Sequence, residues 1–229
     1  MFLFETIKTP EQAYCLGLII TDGRVINSKR VYRLEIALQK RDKEVLEFVK
    51  QIINPNVKIV EHSPNAYIVR FYSKQMIENL KTFGVIPHKS EITYLPLDKI
   101  PKELWRFLIL GCFDGDGSIY KSMEKKGHPY YTIAYYGTKQ ICQQISNIFA
   151  EKLDIYPKVK KDKRKKFLHK FVITGNFQVL KVLHFLYDGH NIGMKRKRHY
   201  YNLLKTMYCS APVGCCQPAY CSDADRHQL

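Results

Sequence analysis

The sequence predicts an α+β protein built from two pseudo-symmetric αββαββα repeats, and three observations carry that prediction. An apolar stretch with an internal glycine and an Asp-Gly end occurs twice, at Ala13–Gly23 and Arg106–Gly117, with the matching glycines offset by 94 residues. Each copy is followed by the same succession of period-2 and helical hydrophobic patterns. The chain has 229 residues, 45% of them hydrophobic, enough to fill a core and to form one large domain or two of about 100 residues each.

The first element of each repeat is an apolar helix with glycine six residues before its terminal glycine: Gly17 before Gly23, and Gly111 before Gly117. Glycine inside a helix costs about 0.8–1 kcal/mol relative to alanine. Its recurrence at one position points to a backbone that a partner must approach closely, and the natural partner is the other copy.

In the first repeat Val31–Gln39 alternates, with Leu34, Ile36 and Leu38 on one face and Arg33, Glu35, Ala37 and Gln39 on the other. A helix is expected from about Asp42 to Ile53. Pro55 and Pro64 bracket short strand material, Tyr67–Tyr72 alternates again, and Ser73 can cap a helix reaching Phe83. The second repeat follows suit: a strand over Tyr130–Tyr136, a helix capped by Thr138 to about Leu153, a strand over Phe167–Thr174, and a helix over Phe177–Tyr187. The expected organisation is residues 1–95 as the first repeat, 96–101 as linker, 102–207 as the second repeat, and 208–229 as a Cys-containing tail. Two polar-faced antiparallel sheets, each backed by helices, are the consequence.

Charge is placed unevenly. Lys and Arg number 37 against 21 Asp and Glu, a formal +16. Residues 1–99 hold 15 basic and 11 acidic side chains (net +4), residues 100–208 hold 21 and 8 (net +13), and the tail holds 1 and 2 (net −1). Two runs dominate, Lys158–Lys166 and Lys195–His199, and neither reads as an amphipathic helix with a wide apolar face. The field favours a polyanion, nucleic acid above an anionic membrane. No membrane span or signal segment is read: Glu5 interrupts the N-terminal apolar residues, and Arg106 breaks the stretch Leu104–Phe113. An intracellular protein is expected.

Cys15, Cys112 and Cys142 sit singly in apolar patterns and read as small buried hydrophobes. Cys209, Cys215, Cys216 and Cys221 crowd the tail without a C-x-x-C pair. A disulfide-bearing or disordered tail is expected, with a zinc site using His227 as the minor alternative.

If the two glycine-bearing helices pack side by side, Asp22 and Asp116 meet at their C-terminal ends. Helix C-termini disfavour carboxylates, and two like charges add to the cost, so a divalent cation would reverse the sign. The run Asp114-Gly115-Asp116-Gly117 is not a calcium-binding EF-hand loop. In one register the first and twelfth ligands would be Cys112 and Met123, and in the other Ile119 takes the turn position and Lys125 the twelfth.

Cys15-Leu-Gly-Leu-Ile-Ile-Thr-Asp-Gly23 and Ile109-Leu-Gly-Cys-Phe-Asp-Gly-Asp-Gly117, with the stretch Gly84-Val-Ile-Pro-His-Lys-Ser90, resemble the LAGLIDADG homing endonucleases of the single-chain, two-repeat type. The resemblance covers roughly residues 10–205 and leaves out the tail. The first motif departs from the consensus at Ile20 and Thr21, where Asp and Ala are common, but not at its penultimate acid.

The resemblance implies a monomer with internal pseudo-twofold symmetry whose sheets form a DNA-binding saddle in the major groove, with the motif helices packed at the repeat interface. It implies Asp22 and Asp116 as metal-binding catalytic acids, with Mg²⁺ as cofactor and Mn²⁺ able to replace it. Gln39, whose counterpart would be Tyr135 or Tyr136, is implied to order water. Lys89 and Lys195 match, to within about two positions, basic residues near the scissile phosphates. The outward strand residues Arg33, Glu35, Gln39, Arg70, Tyr72, Thr132, Ala134 and Lys170 would face bases. The implied activity is Mg²⁺-dependent double-strand cleavage of a long asymmetric DNA duplex. The alternatives are an intron RNA maturase, with intron RNA as partner, and a non-cleaving DNA-binding regulator of the same fold.

Overall fold

The structure is a computed structural model that describes residues 1–87, 94–123, 127–164 and 167–209. The first repeat contains α1 (Pro10–Asp22), β1 (Gly23–Asn27), β2 (Tyr32–Gln39), α2 (Lys43–Ile53), β3 (Ile59–Ser63), β4 (Ala66–Tyr72) and α3 (Lys74–Thr82). The second contains α4 (Trp105–Asp116), β5 (Gly117–Met123), β6 (Pro129–Gly137), α5 (Lys139–Leu153), β7 (Lys160–Lys161), β8 (His169–Thr174), α6 (Asn176–Tyr187) and α7 (Lys195–Cys209). The αββαββα order is therefore present twice. Thr9 and Gln12 form a reciprocal capping box at α1, while Ser73 and Thr138 cap α3 and α5 through Met76 N and Ile141 N.

Helix α7 was not read from the sequence, and it carries the second basic run. Its buried positions Lys197, Tyr201 and Leu204 recur at i, i+4 and i+7. A lysine in the first slot of that stripe disguises it. The helix also runs past residue 207, where the tail was expected to begin. Cys15, Cys112 and Cys142 are buried and stand outside any disulfide among the described residues. Cys215, Cys216, Cys221 and His227 lie outside the described residues, as does Lys89.

Each repeat forms a four-stranded antiparallel sheet, with orders β1-β2-β4-β3 and β5-β6-β8-β7. The registers are equivalent: Gly23 pairs with Ile36, and Gly117 with Tyr135. Leu34, Ile36, Val69 and Phe71 point into the core from the first sheet, as Ile133, Tyr135, Phe171 and Ile173 do from the second.

No two elements share a larger contact than α1 and α4. A Cβ on Gly17 would fall 2.1 Å from Leu108 O, and one on Gly111 would fall 2.2 Å from Tyr14 O. Backbone meets backbone, so alanine's gain in helix propensity is outweighed by a clash that no rotamer change can relieve. Among the described residues no helix is long and apolar enough to cross a membrane.

Candidate active site

Asp22 and Asp116 are the last residues of α1 and α4. The following glycines, Gly23 and Gly117, are extended, so the chain passes straight from helix into strand. Asp22 is half-buried and Asp116 is exposed. A Cβ on Gly115 would lie 2.7 Å from Asp22 Oδ2, which puts the first carboxylate against the last turn of α4. Tyr135, buried behind this point, has its phenol held well above its ordinary pKa. Burial is the main cause, followed by the Cys112 thiol and then Asp116, with Asp22 contributing less. The two acids thus converge at one locus.

Carboxylate oxygens suit a hard divalent cation, and at the end of α1 the terminal carbonyls add partial negative charge. The described residues contain no group of three or more His, Cys, Asp or Glu that could hold a metal. The donor set fits a cation whose remaining ligands are water and phosphate oxygen, the open type used for hydrolysis.

The second motif carries two features that the first lacks. Asp114, 1% exposed, accepts from Tyr14 Oη at 2.9 Å, Tyr187 Oη at 3.0 Å and Met194 N at 2.7 Å. It joins α1, α6 and the segment leading into α7, and burial holds its carboxyl above the usual range. Ile20 occupies the equivalent place in the first motif, so that departure from the consensus falls on a packing position. Lys197, also 1% exposed, donates from Nζ to Phe113 O, to Asp114 O at 2.9 Å and to Gly117 O at 2.6 Å. It caps the end of α4 beside Asp116. Burial lowers its ammonium pKa to about 8, against the opposing pull of Asp114.

Lys195, the lysine expected here from the sequence, is exposed on the first turn of α7, two residues from the one that reaches the motif. The intervening Arg196 makes a bidentate ion pair with buried Asp42, at 2.7 and 3.1 Å. Asp42 therefore does not cap α2; it anchors α7 to the first repeat beside Gln39. Gln39 is exposed and lies three residues beyond Ile36, the partner of Gly23. Equivalent register puts Thr138, not Tyr135 or Tyr136, in the matching place, and Thr138 caps α5.

Of the strand residues expected to face bases, Arg33, Arg70 and Tyr72 lie on the outer face of the first sheet, with Tyr72 60% exposed. Glu35 shares that face but is buried, paired with Arg70 at 2.9 Å and Arg33 at 3.1 Å. Thr132 and Ala134 face outward yet are buried, and the exposed groups beside them are Tyr120, Val172 and Thr174. Lys170 is held by Asp162 at 3.0 Å. Arg24, which the sequence reading passed over, joins the face at 3.7 Å from Glu35.

No family model matches the chain, and no curated protein matches it in sequence. Solved structures do match. The K262A mutant of I-SmaMI is similar at TM-score 0.61 and 14% identity, over 87% of this chain and 92% of that one. The LAGLIDADG meganuclease I-AabMI bound to uncleaved DNA is similar at 0.59 and 14%, over 88% and 93%. The I-SmaMI LAGLIDADG homing endonuclease bound to cleaved DNA is similar at 0.58 and 14%, over 90% and 91%. I-SmaMI is also known bound to uncleaved target in the presence of calcium ions. The chain has the two-repeat LAGLIDADG fold.

Proposed function

We propose that this protein is a site-specific DNA endonuclease that hydrolyses one phosphodiester in each strand of a long, asymmetric duplex, using Mg²⁺ or, in its place, Mn²⁺. The observation that carries this reading is the convergence of Asp22 and Asp116 at the ends of two helices held in backbone contact. Neighbours of the same fold that hold uncleaved DNA with calcium, and cleaved DNA, support it.

Asp22 and Asp116 would hold the cation, which when bound supplies a polarised phosphate and an activated water. Lys197 neutralises the end of α4, so Asp116 faces less negative potential from its own helix. Exposed Lys195, two residues before Lys197 on α7, is assigned to sharing charge that develops on a phosphate, as is Lys89. Gln39 is assigned to ordering water. No covalent nucleophile is needed. The outer faces of both sheets, with Arg33, Arg70, Tyr72 and Lys170, lie against the groove. The second copy is internal, so the protein acts as a monomer, with DNA inside the cell.

Asp22→Asn and Asp116→Asn should each lower double-strand cleavage by roughly a hundredfold or more while sparing duplex binding. An undiminished rate in either variant sinks the assignment. Specific duplex binding by the native protein without breaks in Mg²⁺ or Mn²⁺ would make it a regulator, and preference for RNA over duplex would make it a maturase.

A further inference from the structure

The two outer sheet faces differ most in the row adjoining the motif helices. One residue past Gly23, Arg24 pairs with Glu35, and Glu35 pairs with Arg70 on the next strand. The equivalent row past Gly117 is Ser118, Ala134 and Val172. An Arg-Glu-Arg row in one half faces Ser-Ala-Val in the other.

The Glu35 side chain is 8% exposed and ringed by Arg24, Arg33 and Arg70. Its oxygens are engaged, so it is a poor acceptor for a cytosine amino group. The arginines keep most of their donors. Arg70 engages Glu35 through Nε, leaving both terminal nitrogens. Arg33 meets Glu35 through Nη2 and lies 5.7 Å from the Tyr72 ring centroid; its Nε is buried, so its terminal nitrogens are the ones that can meet a base. A guanidinium fixed on one edge by a carboxylate presents the other edge as a planar fork, the shape that matches guanine O6 and N7. Arg70 sits across the ladder from Glu35, which is two residues from Arg33 on β2, so the two arginines leave the sheet about 7 Å apart along the strands, roughly two base-pair steps of about 3.4 Å.

We infer that Glu35 is a positioning residue that sets Arg33 and Arg70 as two guanine-reading forks on one side of the cleavage point, with no counterpart on the other side. This rests on the endonuclease reading and names the sequence it would select. In the second half, exposed Val172 offers apolar surface of the kind that meets a thymine methyl.

The test is selection of bound duplexes from a randomised pool in Ca²⁺. The native protein should enrich guanine at two positions about two steps apart in one half-site only. Glu35→Gln should relax that enrichment about tenfold at those positions, leaving the rest of the site unaltered. Arg70→Lys keeps the charge and should lose one guanine while retaining overall affinity, so it tests the fork even where Glu35→Gln folds poorly. A selected site lacking those guanines, or equal guanine enrichment with Glu35→Gln and Arg70→Lys, overturns the inference. Recovery of no preferred sequence would instead overturn the endonuclease reading itself.

Discussion

The ends of α1 and α4 are the same backbone closed in two ways. At α1 a hydroxyl does the work: Thr21 Oγ1 donates to Leu18 O at 3.0 Å. At α4 a buried ammonium donates to three carbonyls, and a buried carboxylate occupies the place of Ile20. The shared part of the repeat is what the backbone demands, glycine at the crossing and strand after the helix. At the two helix ends the unshared part is electrostatic, and its buried charges, Asp114 and Lys197, lie in the half that carries most of the positive charge.

Removing the carboxylate should have the largest effect on that difference. Asp114→Ala strands two tyrosine hydroxyls, an amide and the compensation for Lys197, so a loss of about 3–5 kcal/mol is expected. Chemical denaturation measures it, and a loss below about 1 kcal/mol would mean the network contributes little. The helix caps come next. Lys197→Met should cost about 1.5–3 kcal/mol, and Thr21→Val about 0.5–1.5 kcal/mol. On a supercoiled plasmid target Lys197→Met should also let nicked circle accumulate, because only one of the two carboxylate ends is altered. Equal accumulation with Thr21→Val would erase the contrast.

The last effect concerns the loop that delivers Lys197 and is read against pH. His190 accepts from Ile192 N at 3.1 Å, and its Nε2 lies 2.9 Å from Leu186 O, a pattern that suits the neutral ring. Burial, then the neighbouring Arg106, lowers its pKa from 6.5 to about 4. The unfolded chain takes up this proton near pH 6.5 and the folded protein only near pH 4. The stability His190 contributes is therefore complete above pH 6.5 and is lost as pH falls towards 4. Melting temperatures across that window should fall less steeply for His190→Gln; parallel curves would remove His190 from the acid response.

The repeats were legible because their requirements are local: a glycine where two backbones touch, an Asp-Gly helix end, and alternation in the strands. Asp22 and Asp116 could be named from those marks alone. Lys197 could not be distinguished from Lys195, because a run of basic residues does not say which member turns inward; that depends on the phase of α7, whose apolar stripe begins with the lysine itself. The burial of Glu35 depends on Arg70, a residue 35 positions away that only strand pairing brings beside it. Asp114 is two residues from Asp116 and was read as part of the same acidic run, although one turns into the core and the other into solvent.

The contact at Gly17 and Gly111 has a geometric consequence. Backbone contact at the crossing fixes the two helices against each other, so the separation of their ends is not set by the sheets. On the endonuclease reading, a change on either sheet would alter which bases are gripped without altering the distance between the two cuts. Address and stagger are thus separate variables, and a chimaera joining this α1 half to a foreign second half should keep its stagger wherever the glycine crossing is retained.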